Sequence, residues 1–62
     1  MKANVCLEYN DGSKVWFNFE SSEQGHGAII TLGIVCRGAL MASLAKRVIA
    51  YNSEGSVICS YV

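Results

Sequence analysis

Two similar turn sequences bracket an apolar middle segment, and this arrangement limits the possible folds more than any other feature of the chain. They are Tyr9-Asn10-Asp11-Gly12-Ser13 and Tyr51-Asn52-Ser53-Glu54-Gly55-Ser56. In each, Asn opens the turn and Gly suits the left-handed position that closes it. Residues of high strand propensity lie on both sides of each turn. The sequence therefore predicts two β-hairpins, one towards each end.

The first hairpin has a predictable register. Apolar residues occupy every second position in 3–9 and again in 15–19, which is typical of half-buried strands. A three-residue loop, Asn10-Asp11-Gly12, sorts the opposing residues by face: Ala3–Phe19, Val5–Phe17 and Leu7–Val15 on one face, and Lys2–Glu20 and Glu8–Lys14 on the other. A two-residue loop would shift the pairing by one and set Glu8 against Val15. The three-residue loop is therefore predicted.

The middle segment, 28–45, is apolar apart from three residues, Thr31, Arg37 and Ser43. Helical spacing continues through it, so we predict one long helix. Its β-branched first part, 28–35, leaves a third strand as the alternative. We expect the helix to extend towards Lys46 and Arg47, since basic residues suit a helix C-terminus. The length approaches that of a membrane span, but a charge at Arg37, in the middle, argues against one.

The last part of the chain predicts the second hairpin. Segments 48–51 and 56–62 flank the turn, although Val48 and Tyr51 also keep the helical spacing of Leu44. The repeated turn sequence favours the hairpin. We therefore predict a single α+β domain over residues 1–62, ordered ββαββ, with the helix packed on an antiparallel sheet. The alternative is βββαβ.

Charge and cysteine content exclude several functional classes. The formal net charge is zero, and the five basic residues form no run. Binding to nucleic acid is therefore disfavoured, although an oligomer could gather Lys46 and Arg47 of several chains into one basic patch. The three cysteines, Cys6, Cys36 and Cys59, are widely spaced and no secretory signal is evident. We expect reduced thiols in a cytoplasmic protein without a metal or cofactor.

Chemistry could be carried by two features, and we expect neither to make the chain an enzyme. Cys36 would be activated if a helix began near Arg37, and His26 could act as its base. No third residue is placed to orient the imidazole, and Cys36 lies in an apolar row, where cysteines are commonly inert. The flanking glycines of Gly25-His26-Gly27 could instead form a mobile ligand-binding loop within the polar segment 21–27, or leave the histidine simply solvated.

Hydrophobic residues make up 52% of the 62-residue chain, more than so small a domain can bury. Trp16 falls on the charged face of the first hairpin, where it would either anchor a partner or be covered by the middle segment. Arg37 needs an acceptor, on its own sheet or on a partner. We predict partner-binding residues Trp16, Arg37, Lys46 and Arg47.

These features predict a small cytoplasmic protein-binding module. It would be an accessory or inhibitory protein of the kind encoded by mobile elements such as phages. We expect it to occlude or bridge a larger protein, as a homo-oligomer. An oligomeric nucleic-acid-binding protein and a cysteine-dependent enzyme are the alternatives.

Overall fold

A computed structural model describes residues 1–62 and contains one helix and four strands in the order ββαββ. The elements are β1 (Lys2–Glu8), β2 (Lys14–Glu20), α1 (Gly25–Ser43), β3 (Arg47–Tyr51) and β4 (Val57–Tyr61). The strands form one antiparallel sheet in the spatial order β2-β1-β3-β4. The predicted α+β class and the ββαββ order are confirmed. The alternative with a third strand before the helix is wrong, because 28–35 lies inside α1.

The first hairpin has the predicted register throughout. Val5 pairs with Phe17 in its middle, and Lys2 pairs with Glu20 at its open end. The loop is closed by a hydrogen bond of 3.0 Å from the Tyr9 N–H to the Ser13 carbonyl. Gly12, at φ 88°, takes the left-handed position. Matching of apolar and charged faces in the sequence was therefore sufficient to fix this pairing.

The second hairpin has the same type of turn, but this turn begins one residue later within the repeated Tyr-Asn sequence. Asn52, rather than Tyr51, closes the loop, through a 2.8 Å bond from its N–H to the Ser56 carbonyl. Its side-chain oxygen also accepts bonds from the N–H groups of Glu54 and Ser56. The register then shifts between Ala50 and Tyr51, which marks a β-bulge in the β3–β4 pair.

The core is a thin layer between α1 and one face of the sheet. It consists of Ala3, Val5, Leu7, Phe19, Leu32, Cys36, Val48 and Ala50. The helix packs over β3, β4 and β1, so the helix-facing side of the outer strand β2 is only partly covered. Val15 on that side stays 50% exposed, and Phe17 is half-buried.

Both ends of the helix differ from the prediction. Gly25, His26 and Gly27 form the first turn of α1 and not a mobile loop. At the other end α1 stops at Ser43, so Lys46 and Arg47 are not at the helix C-terminus. At Lys46 and Arg47, backbone pairing with β1 outweighs helix propensity.

After α1, the chain rejoins the sheet beside Glu8 of β1. The Lys46 N–H donates to the Glu8 carbonyl at 2.8 Å, and Arg47 opens β3 directly opposite Glu8. Leu44 makes the reversal at φ 60°, a left-handed conformation that is costly for a residue with a Cβ.

By length and composition α1 could cross a membrane, with a mean hydropathy of 1.4. One such helix is weak evidence of a span, because core helices of soluble proteins pass the same test. In the structure one side of α1 packs on the sheet.

We expect Leu44→Gly to raise the free energy of unfolding by about 0.5–1 kcal/mol, because glycine removes the left-handed strain and the 85% exposed leucine contributes little packing. Chemical denaturation of the purified protein measures it. The matched control is Met41→Gly, at a similarly exposed position with helical backbone, which should lower stability by about 1 kcal/mol. If both variants lose stability equally, the strain at Leu44 is not real.

Candidate functional site

Two aromatic rings meet on the face of the sheet that points away from α1. Trp16 on β2 and Tyr51 on β3 have ring centroids 5.7 Å apart, with their planes tilted by 35°. The strand between them, β1, places Cys6 opposite both Trp16 and Ile49. Cys6 is 1% exposed although no helix covers this face, which is consistent with the rings closing over β1. We call Cys6, Trp16, Ile49 and Tyr51 the aromatic patch.

Trp16 remains accessible within this patch. Its side chain is 56% exposed, and α1 lies on the opposite face of the sheet. The alternative that the middle segment covers Trp16 is therefore wrong. Its interpretation as a partner anchor stays a prediction, now with a ring partner that holds the indole in place.

Charged residues border one end of the aromatic patch. The Arg47 Nη2 donates to the Glu8 Oε1 at 2.6 Å, and this hydrogen bond lowers the pKa of the Glu8 carboxyl and raises the pKa of Arg47. Lys14 lies opposite Glu8 on the other side of β1, and Lys46 precedes β3. Of the predicted partner-binding residues, the fold therefore brings Trp16 and Arg47 to the same face of the sheet, with Lys46 next to Arg47. The charge of Arg47 is already balanced within the chain.

The exposed side of α1 forms a second apolar surface. Ile30, Ile34 and Met41 recur at helical spacing, are all exposed, and share their side of α1 with Arg37; we call these four residues the helix stripe. His26 lies one turn before Ile30 on the same side, and it is exposed. The predicted ligand residues Gly25, His26 and Gly27 therefore stand at one end of the helix stripe, in a helical turn.

Arg37 finds an aromatic ring and no carboxylate. Its guanidinium carbon is 5.2 Å from the centroid of the Tyr61 ring, a cation–π contact. The chain contains one ion pair, between Glu8 and Arg47, so the expected bond from Arg37 to a carboxylate of its own sheet is wrong. Arg37 is an exposed residue, and a cation–π contact leaves guanidinium N–H donors free for a second molecule. The alternative that Arg37 contacts a partner stays a prediction.

Cys36 is in the middle of α1 and not at its positive end. It is fully buried, and burial, followed by the neighbouring Cys59, raises the pKa of its thiol to about 11. The condition that made it a candidate nucleophile, a helix beginning near Arg37, is not met. All three cysteines are free, and no group of three or more potential ligands is gathered for a metal ion.

A depression of about 260 Å³ lies at the open end of the first hairpin. Its lining residues come from both hairpins: Lys2, Ala3, Asn4, Asn18, Phe19, Glu20 and Ser53. Ser53 belongs to the distant second turn, so sequence reasoning did not find this depression.

No family model matches the chain, and no curated protein or solved structure is significantly similar to it.

Two parts of these surfaces were missed by sequence reasoning. Tyr51 was assigned only to the second hairpin, because its contact with Trp16 depends on the order of strands in the sheet. The helix stripe was visible as helical spacing, but α1 is apolar on several sides. The residues of α1 that lie in the core are Leu32 and Cys36, and the sequence alone did not show which side of α1 would be left exposed.

We expect Cys36 to be alkylated by iodoacetamide more slowly than Cys59 at neutral pH. A thiol with a pKa of about 11 has roughly one thiolate in ten thousand at pH 7, and Cys36 is also inaccessible, whereas Cys59 is partly exposed. Raising the pH towards 11 should increase the thiolate fraction and so the Cys36 rate. Peptide mass spectrometry gives the rates, with unfolded protein as the control. Faster labelling of Cys36 would revive the cysteine-enzyme hypothesis.

Proposed function

We propose that this chain is a small protein-binding module that acts as an accessory or inhibitory protein, by occluding or bridging a larger partner, and that it works as a homo-oligomer. The observation that carries the proposal is the presence of two separate apolar surfaces on opposite sides of a two-layer fold. One is the aromatic patch on the sheet, and the other is the helix stripe.

The exposed apolar residues do not arise from an open or incompletely packed chain. The accessible surface is 4023 Å². A folded chain of 6.7 kDa is expected to have about 3,900 Å². The chain is therefore as compact as its size allows, yet nine of its large hydrophobic residues remain exposed. Contiguous exposed apolar residues of this kind are typical of interaction surfaces.

The aromatic patch has the composition of a binding hot spot. Trp and Tyr contribute most to protein interfaces because a rigid ring buries a large area at a small cost in side-chain entropy. The Tyr51 ring holds Trp16 from one side, and the Glu8–Arg47 ion pair adds a polar border. A partner pocket that accepts an indole and has polar groups beside it would fit this surface.

The helix stripe fits a different kind of contact. An amphipathic helix binds by laying residues at helical spacing into an apolar groove. Arg37 interrupts the stripe near its middle, so a matching groove would carry a carboxylate there. Because the aromatic patch and the helix stripe face opposite ways, one molecule could contact two partner surfaces, which supports the bridging role.

Trp16→Ala should weaken partner binding at least tenfold, because truncating a hot-spot tryptophan costs about 2 kcal/mol or more. The free energy of unfolding should fall by less than about 1 kcal/mol, since the indole is largely exposed. The test compares proteins captured by wild type and variant from a lysate of the source cells, followed by titration with the purified captured protein. Val62→Ala, at 94% exposure beyond the end of β4, is the matched control, because it lies outside the aromatic patch. Equal binding by wild type and Trp16→Ala would remove the aromatic patch as the anchor.

Ile34→Glu tests the helix stripe in the same assay. A carboxylate at the centre of an apolar contact should reduce binding at least tenfold, while stability changes by about 0.5 kcal/mol or less, because Ile34 is 60% exposed. Ala42→Glu places the same charge on an exposed position of α1 outside the helix stripe and should bind like wild type. If the two variants bind equally well, the helix stripe takes no part in recognition.

A further inference from the structure

Strand β2 leaves a full row of backbone hydrogen-bonding groups unpaired at the edge of the sheet. The bonds from the Tyr9 N–H to the Ser13 carbonyl and from the Ser21 N–H to the Met1 carbonyl set the phase of the β1–β2 ladder. Odd-numbered residues of β2 therefore bond to β1. The even-numbered residues direct their N–H and C=O groups outwards: Lys14, Trp16, Asn18 and Glu20. The strand has seven residues, with no proline and no bulge.

We propose that two copies of this chain pair through β2, antiparallel, about a two-fold axis at Phe17. The sequence of β2 is self-complementary in this register. The opposing residues are Lys14–Glu20, Val15–Phe19, Trp16–Asn18 and Phe17–Phe17, and each pair except the last occurs twice. All the outward-directed backbone groups then find partners, because every hydrogen-bonded pair consists of even-numbered residues.

Charge complementarity selects this register over its neighbours. Neither Lys14 nor Glu20 belongs to an ion pair within the chain. Opposite charges directly across an antiparallel pair are stabilising, and like charges are destabilising. An axis at Trp16 would set Lys14 against Asn18, and an axis at Asn18 would set Glu20 against Trp16. The axis at Phe17 is the one that matches both charges.

The incomplete cover over β2 supports the same pairing. Because α1 lies over the other three strands, Val15 is 50% exposed and Phe17 is half-buried on the helix side. In the proposed dimer Val15 meets Phe19 of the second copy, and the two Phe17 side chains are adjacent. The second copy thus covers the part of the sheet that the chain's own helix leaves open.

The opposite edge of the sheet is less suited to pairing. Strand β4 has five residues, its pairing with β3 contains a bulge, and it carries no charged side chain to define a register. Bulges and short edge strands are ways in which proteins prevent edge-to-edge contacts. The dimer is therefore assigned to β2.

This interface rests on the homo-oligomer in the proposed function, and it determines how the two copies present their surfaces. Joining two sheets through β2 makes one eight-stranded sheet, with both aromatic patches on the same face and both helices on the other. Trp16 lies beside Asn18 of the second copy and stays on the accessible face. The dimer would thus present the proposed anchor twice, which increases avidity for a partner with two sites.

The test reverses the charge at position 14 or at position 20. We expect Lys14→Glu and Glu20→Lys each to weaken self-association about 10- to 100-fold, because two attractive pairs become repulsive. An equimolar mixture of the two variants should dimerise like wild type, since positions 14 and 20 then carry opposite charges in both cross-chain pairs. Sedimentation equilibrium from ~1 to ~200 µM covers the affinities expected of such a dimer. Glu54→Lys, the same change in the second turn, is the control and should dimerise like wild type.

A proline variant keeps the test decisive if a charge variant folds poorly. The Asn18 N–H points outwards, so Asn18→Pro removes no bond within the hairpin but blocks the edge. We expect it to be folded by circular dichroism and monomeric.

The interface would be overturned if the wild type were monomeric, or if the single charge variants or Asn18→Pro self-associated as tightly as the wild type. It would also be overturned if the mixture of the two charge variants dimerised no more tightly than either variant alone. The two proposals fail separately. Self-association that the β2 variants leave unchanged removes only this interface. A monomeric wild type with Trp16-dependent partner capture removes the interface and the homo-oligomer but retains the binding module. An intact dimer with Trp16-independent capture removes only the anchor.

Discussion

The contact between one side of α1 and the centre of the sheet holds this molecule together. Leu32 and Cys36 of α1 meet Val5, Val48 and Ala50 of β1 and β3, and all five are completely buried. Several of these side chains are small, so the core is thin. The smallest dimension of the molecule is 15 Å, about one helix layer on one sheet layer. A core this narrow anchors the helix over three strands and cannot also cover the fourth strand or the other sides of the helix.

Glu8 connects the first hairpin to the segment that follows the helix. Its backbone carbonyl accepts the Lys46 N–H as the chain returns from the helix, and its carboxylate bonds to Arg47. The turns on either side of the helix are local structures, in which the side-chain oxygens of Asp11 and Asn52 accept hydrogen bonds from nearby backbone N–H groups. The hairpins can thus form from neighbouring residues, whereas the β1–β3 pairing joins residues about forty positions apart. Leu44 is strained in a left-handed conformation where the chain turns back towards that pairing.

The exposed surfaces follow from the same limit on the core. A chain with 52% hydrophobic residues and few buried positions must place apolar side chains outside, and the fold groups them in three places: the aromatic patch, the helix stripe and the uncovered side of β2. Each place has a different geometry. The patch offers rigid rings, the stripe offers helical spacing with one cation, and β2 offers free backbone groups with matched charges at its ends. These three surfaces are the basis for the proposed binding role.

Sequence alone determined the elements whose signals are local: both hairpin turns, the register of the first hairpin from Val5–Phe17 to Lys2–Glu20, and the long helix. Alternation and turn chemistry act between near neighbours, so no knowledge of the fold was needed. The helix ends, the ring partner of Trp16 and the contact of Arg37 with Tyr61 were decided by tertiary structure. Each depends on which strand lies beside which, and α1 is apolar on several sides, so only packing against β3 and β4 selected the side that remained exposed.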